Sequence, residues 1–263
     1  MTVVSVGGAG LAERSDDRLA NWWRGRMGRP LLTEVLIIGG LLLLYRQVRT
    51  LVRDEQVEAV RNASKVIQWE RAVGLFNEMH LQRLFLGSRE MVSFLDHYYV
   101  FVHFPVTAAV TAWVYVRRHE LYARLKYLLI SVTMVGLALH VAFPLAPPRM
   151  LDANGFVDTL QRYGPRIYAE NPTESLANQF AAMPSLHFAW AMIVAITVIS
   201  ARTSKRPWLW VLHPVLTLIA IVATGNHFWI DAVVAAALVV LALGLWPALL
   251  AHRSRSRVPV SAA

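Results

Sequence analysis

Long apolar runs separated by short polar connections dominate the chain, at residues 31–45, 92–116, 127–145, 180–200, 208–224 and 228–250. Runs of this length approach the roughly 20 residues that a helix needs to cross a bilayer. In lipid every backbone amide must find its partner within the segment, so such runs fold as helices. The pattern predicts an all-α polytopic membrane bundle of about six transmembrane helices. The first run is short and carries Glu34. Residues 46–90 hold eight basic side chains (Arg46, Arg49, Arg53, Arg61, Lys65, Arg71, Arg83, Arg89) and six acidic ones, and read as a partly helical, interfacial segment. The expected organisation is a tail at 1–28, one membrane domain at 29–251 with a cap loop at 146–179, and a tail at 252–263.

Composition agrees with a membrane protein. With 56% hydrophobic residues in 263 and a positive mean hydropathy, the chain has more apolar surface than a soluble domain of its size buries. Basic clusters precede the first run (Arg14, Arg18, Arg24, Arg26, Arg29), separate the second from the third (Arg117, Arg118, Arg124, Lys126) and the fourth from the fifth (Arg202, Lys205, Arg206), and follow the sixth (Arg253, Arg255, Arg257). The positive-inside rule makes these regions and both termini cytoplasmic, in an integral protein of the plasma membrane. The net charge of +9 is then explained by cytoplasmic loops facing anionic lipid, and no nucleic-acid partner is expected. The absence of cysteine excludes disulfides, thiol catalysis and cysteine-ligated metals. The N-terminus lacks the pattern of a cleavable signal peptide.

Chemistry concentrates at the ends of the apolar runs: Pro144, Pro147, Pro148 and Arg149; then Pro184, Ser185 and His187; then His227 and Asp231. A histidine four residues before an aspartate shares a helix face with it at about 6 Å, so the carboxylate can orient and charge-stabilise the imidazole. A second histidine and an arginine from other runs would complete a site suited to attack on phosphorus. On the topology above, all three groups open on the external face.

The order of arginine, Pro-Ser-x-His and His-x-x-x-Asp resembles the signatures of the type 2 phosphatidic acid phosphatase and haloperoxidase superfamily, over about residues 70–245. The residues from Phe143 to Arg149, Gly155 to Asp158, Ala181 to His187 and Gly225 to His227 look most like the branch that contains inositol phosphorylceramide synthases. The resemblance implies that His227 is the nucleophile on phosphorus, Asp231 its orienting partner, and His187 the acid that protonates the leaving oxygen and later activates water. It implies phosphate binding by Arg149, Ser185 and Asn226, with no metal and no cofactor. The implied substrate is a phospholipid or polyprenyl phosphate at the outer face. The implied activity is a lipid phosphatase working through a phosphohistidine, or a transferase that moves the phosphate to an alcohol such as inositol. The sequence departs from the wider superfamily where a lysine and an arginine are usual, having Ala142 and Ile221. Thr224, Asn226 and His140 are the candidates to replace them, with His103 and Asp158 as possible substrate-lining residues.

Blander readings compete. His227 with Asp231 also suits a structural pair closing a helix end. Two histidines and a carboxylate satisfy the ligand count of a zinc or iron site, which a neighbouring arginine would oppose. A transporter or scaffold would use the same residues structurally. Pro144, Pro147 and Pro148 serve to end the third run. His97, His103 and His213 suit packing, the last without an evident partner. Trp22, Trp23, Trp208 and Trp210 suit an interfacial belt, and Ala232 with Ala236 a close helix contact. The cap loop is expected to choose the headgroup through Asp158, Arg162 and Arg166.

Overall fold

The apolar runs are helices in the computed structural model, which describes residues 55–151, 155–165, 180–202 and 205–255 together with scattered positions between 32 and 47. The described positions of the first run are helical and are treated by themselves. From residue 55 onward the order is α1 (Gln56–Ala72), α2 (Glu78–Leu86), α3 (Arg89–His97), a π-helical turn (Tyr98–Val102), α4 (His103–Arg117) and α5 (His119–Ala142). A 3₁₀ turn (Pro148–Met150) and short α6 (Thr159–Tyr163) follow, then α7 (Leu186–Ala201), a second 3₁₀ turn (Pro207–Val211), α8 (Leu212–Ala223) and α9 (Trp229–Arg255). Among the described residues the extended structure is a single parallel bridge, Leu145 to Ala181. The N-terminal tail, residues 256–263, Trp22, Trp23, Asn154 and Arg166 lie outside the described residues, while residues 252–255, expected in the tail, continue α9.

Three helices among the described residues are long and apolar enough to cross a membrane: Arg89–Arg117, His119–Ala142 and Trp229–Ala251. The fourth and fifth runs make shorter apolar helices, Leu186–Ala201 and Pro207–Ala223. At 1.5 Å per residue α7 covers only about 24 Å, against a hydrocarbon core of about 30 Å. Its start is set by chemistry rather than hydropathy. Ser185, extended at φ −71° and ψ 98°, caps the helix by accepting from the Phe188 amide, so residues 180–185 run as loop although they are apolar.

Helix α7 sits at the centre, against α4, α5, α8 and α9. Residues at helical spacing make the shared core: Val110 and Val114, Leu125, Leu128 and Val132, Ala189, Ile193 and Val198, and Ala235, Val239 and Ala242. On α9 the close-packed small residues are Ala232 and Ala235, with Ala236 turned partly outward. Trp208 is exposed as expected of a belt residue, whereas Trp210 packs against the core.

Helices α5, α7, α8 and α9 each run between a basic end and a motif end. α5 follows Arg117 and Arg118 and stops just before Pro144, α7 starts beside His187 and stops before Lys205, α8 follows Arg206 and stops before Gly225, and α9 starts beside His227 and ends at Arg255. Alternating direction gathers the motif ends together. Gly136 permits the closest approach, since a Cβ there would stand 2.7 Å from Leu186 Cδ2. One turn later, His140 Nε2 donates to Pro184 O at 3.2 Å.

Gly136→Ala should be nearly neutral, because the tip of Leu186 can move and alanine is the better helix former. Gly136→Leu should lower unfolding stability in detergent by about 1–3 kcal/mol through overpacking. Equal tolerance of both would mean that α5 and α7 do not meet there.

Candidate functional site

The turn between α8 and α9 is the foundation of the site. Its residues hang from α8, where Ile221 O accepts the amides of Asn226 at 2.9 Å and His227 at 3.0 Å. Gly225 holds φ +67°, a left-handed conformation that side chains rarely adopt, and a Cβ on it would meet Gln82 Nε2 at 3.0 Å and Arg149 Cβ at 3.2 Å. That close approach lets Arg149 N donate to Gly225 O at 2.8 Å, which joins the first motif to the third. The first and second join through the bridge: Leu145 N donates to Phe180 O at 2.8 Å and Ala182 N to Leu145 O at 3.2 Å. Ser185 N donates to Asp231 O at 3.2 Å, which joins the second to the third.

His227 precedes α9 rather than sharing its face. Asp231 lies in the first turn, fully buried, and its Oδ2 reaches back to accept the Phe228 amide at 2.9 Å while standing 3.2 Å from His227 Nδ1. The same Nδ1 lies 2.8 Å from Ala182 O. A carbonyl can only accept, so Nδ1 carries the proton and Nε2 keeps the lone pair. The geometry thus fixes the ring through Nδ1 with both a carbonyl and a carboxylate.

The His187 ring centroid is 6.4 Å from that of His227, and His187 also faces Tyr99 at 4.4 Å, His103 at 4.8 Å and Phe104 at 5.8 Å. His103 is buried, its Nδ1 without a partner among the described residues, and it belongs to this aromatic wall. Arg149 donates from Nε to Asn226 Oδ1 at 3.0 Å and from Nη1 to Asp158 Oδ2 at 2.9 Å. Among the described residues the hydrogen bonds of Arg149 thus run through Nε and Nη1. Asn226 in turn donates to Thr224 Oγ1 at 2.6 Å. Asp158 also caps α6 through the Gln161 amide and borders a shallow open depression with Phe156, Val157 and Arg162.

Several expected site residues are occupied otherwise. The Ser185 side chain is fully buried as the cap of α7, and its hydroxyl oxygen is engaged with Phe188 N. His140 is committed to Pro184 O, so it fixes the second motif instead of offering a cation. Thr224 serves as an acceptor behind Asn226 while donating to Ala220 O. Arg162 lies over the Tyr163 ring. His97 bonds its own helix at Ser93 O, and His213, expected to lack a partner, has one: Tyr98 Oη at 2.8 Å from Nδ1.

Residues 55–90, read from composition as an interfacial segment, supply side chains that the sequence reading passed over. Gln82 clamps the backbone of Val157 from both sides, Nε2 to O at 3.0 Å and Oε1 from N at 2.9 Å, which fixes the neighbour of Asp158. Glu70 Oε1 accepts the Ile230 amide at 2.8 Å and Glu78 Oε1 the Trp229 amide at 3.3 Å, so acids from α1 and α2 hold the start of α9. The signal was present: Glu70 continues the buried stripe Ala59, Ala63, Val66 and Ile67 by one helical step. Among the described residues no group of three or more His, Cys, Asp or Glu side chains is arranged to hold a metal ion.

A helical bundle that gathers an arginine, two histidines and an aspartate at one end is a fold and site suited to phosphate-ester chemistry. The PAP2 superfamily model matches residues 64–245, and the chain belongs to that superfamily. Its members are typically phosphoesterases that act on lipid phosphates, which supports a phosphatase or phosphotransferase activity. Neither the curated proteins nor the solved structures give a match.

Nitrogen-15 NMR of selectively labelled histidine should show His227 in the Nδ1–H tautomer both in the native chain and in Asp231→Asn, since Ala182 O stays in place. A switch to Nε2–H in the variant would mean that Asp231 alone sets the tautomer.

Proposed function

We propose that the protein hydrolyses a lipid phosphate ester through a phosphohistidine on His227. The observation that carries this reading is the gathering of His227 with its fixed tautomer, His187 and Arg149 at one end of the bundle. His227 Nε2 attacks phosphorus as the bond to the lipid oxygen breaks, and His187 gives that oxygen its proton. The imidazolium formed on His227 is stabilised by Asp231. His187, now a base, takes a proton from water, whose oxygen attacks phosphorus and releases phosphate from His227. Arg149 receives the phosphate oxygens through Nη2, where charge spreads in the transition state.

A second reading has support of its own. The guanidinium is balanced by Asp158 at 2.9 Å, and positions 142 and 221 contribute no cation. A site so modestly charged suits phosphorus bearing a single negative charge, as in a phosphodiester, and transfer to an alcohol such as inositol. This is the chemistry of the inositol phosphorylceramide synthase branch that the motifs resemble. Asp158 would then accept a hydroxyl hydrogen of the acceptor. Incubation of the purified protein with phosphatidate, polyprenyl phosphates and phosphodiester lipids, with and without alcohols, separates the two: free phosphate supports hydrolysis, and an alcohol-dependent product supports transfer.

His227→Ala should abolish turnover with membrane insertion intact. His187→Ala should retain partial first-step activity on substrates with good leaving groups, and should accumulate the phosphoenzyme. Asp231→Asn should lose on the order of 10²-fold in kcat, a charge effect alone, rather than the roughly 10⁴-fold that a wrong tautomer costs a histidine in a catalytic triad. Retention of more than a few per cent activity in His227→Ala would sink the nucleophile assignment.

The proposed topology has six spans with the site on the external face and both termini inside. The chain lacks cysteine, so single cysteines can be placed at Gln161, His119 and Lys205 and exposed in intact cells to an impermeant thiol reagent. Only the cysteine at 161 should react. Reaction at 119 or 205 with 161 silent would put the chemistry on the cytoplasmic leaflet.

A further inference from the structure

We infer that Glu70 and Glu78 act as a proton-sharing pair that positions His227, Glu70 donating its carboxyl hydrogen to Glu78 while each accepts one amide of the first turn of α9. The inference rests on the phosphatase or transferase reading only in naming His227 as the group positioned. Both side chains are fully buried, and each has one oxygen, Oε2, that accepts from no N–H or O–H among the described residues. Two ionised carboxylates in contact, away from water, would repel each other and leave both oxygens unsatisfied. One proton between them removes both costs.

Their neighbours leave little else to do this. Glu70 is faced by Glu78 from α2 and Asp231 from α9, both carboxyl groups. Of the cations on the same helix, Arg71 lies over the Phe76 ring at 4.9 Å, and Lys65 donates to Asn62 Oδ1 at 3.0 Å. Burial, and then the hydrogen bond with Glu78, push the Glu70 carboxyl up to about 9. Glu70 therefore holds its proton at neutral pH.

The consequence for the site follows from the three successive amides. Phe228 N goes to Asp231, Trp229 N to Glu78 and Ile230 N to Glu70, at 2.9, 3.3 and 2.8 Å. His227 is the residue immediately before them, so its height and tilt are set by where these amides are held. Loss of the Glu70 proton would add a second negative charge beside Asp231 and push the turn apart. Neither glutamate touches the place where phosphorus would sit, so both are positioning residues.

Infrared spectroscopy of the full-length protein in detergent tests the proton directly. A protonated-carboxyl stretch should be present at neutral pH, disappear in Glu70→Gln, shift in Glu78→Gln, and titrate away as the pH rises through about 9. The sign for stability is fixed by the raised value. The neutral acid is favoured in the folded state, so its stabilisation is complete below the ordinary carboxyl range and is lost as pH rises through about 9. Thermal midpoints of the native chain should fall as pH rises from the ordinary carboxyl range to about 9 and level off above it, and should stay flatter in Glu70→Gln.

For positioning, Glu70→Gln keeps an acceptor for Ile230 N and a donor for Glu78, and should hold kcat within about threefold while removing the alkaline loss of activity. Glu70→Ala should lower kcat on the order of 10²-fold with little change in KM, the cost of a displaced reacting group. A carboxyl band that neither glutamine variant alters overturns the shared proton. Equal losses in Gln and Ala, or none in Ala, overturn the positioning. A native chain with no activity would defeat the proposed function, while the infrared and thermal measurements would still decide the shared proton.

Discussion

The start of α9 is the constraint on which the rest of the site depends. A helix leaves its first amides without partners, and its dipole makes that end positive. Here the end is buried, so water cannot satisfy those groups. Three carboxyl groups do so instead, from α1, α2 and α9 itself. Because they come from separate elements, the segment at 55–86 cannot detach without exposing the amides, and the turn at 224–228 cannot shift without breaking several bonds at once. The imidazole is then held between Ala182 O and Asp231, and Arg149 is tied by its own backbone to Gly225. Catalytic geometry and fold stability thus draw on the same hydrogen bonds.

The bundle beneath supplies direction. α7, central and short, begins with Ser185 as its cap, so His187 emerges in its first turn beside the loop end of α5. The apolar faces of α4, α5, α7 and α9 make a core of mostly aliphatic side chains, with Tyr122 as its buried aromatic member. Polar side chains concentrate instead at the motif end, where loops and caps can satisfy them. Burying the same groups mid-bundle would cost several kcal/mol each without partners.

Much of this was legible in sequence, for identifiable reasons. Apolar periodicity and length gave the helices because a membrane leaves little alternative. The pairing of His227 with Asp231 was legible in their spacing, although the reason differs: Asp231 reaches backward as a cap, so His227 need not be helical. Hydropathy misplaced the start of α7 by several residues because apolar loop and apolar helix look alike, while a single serine decides the boundary. The partner of His213 was hidden because Tyr98 lies 115 residues away in sequence. Glu70, Glu78 and Gln82 were passed over for a related reason. In a segment of mixed charge, composition suggests solvation, and only the α1 stripe reveals that an acid points inward.

The two departures from the usual basic residues acquire a structural meaning. Ile221 is fully buried, and its carbonyl carries the amides of Asn226 and His227, so a cation at that position would have to be accommodated under the turn that holds His227. Ala142 closes α5 and is exposed, so nothing there pulls it toward phosphate. Among the described residues, Arg149 is brought into the site and spends Nη1 on Asp158 and Nε on Asn226, which holds its plane fixed but cancels much of its charge. A rigid, nearly neutral donor fork recognises shape and hydrogen-bond geometry more than it recognises total charge. Selection among lipid phosphates would then fall to the groups around the phosphorus, and Asp158, fixed from behind by the Gln82 clamp on Val157, is the residue through which headgroup and charge can be read together.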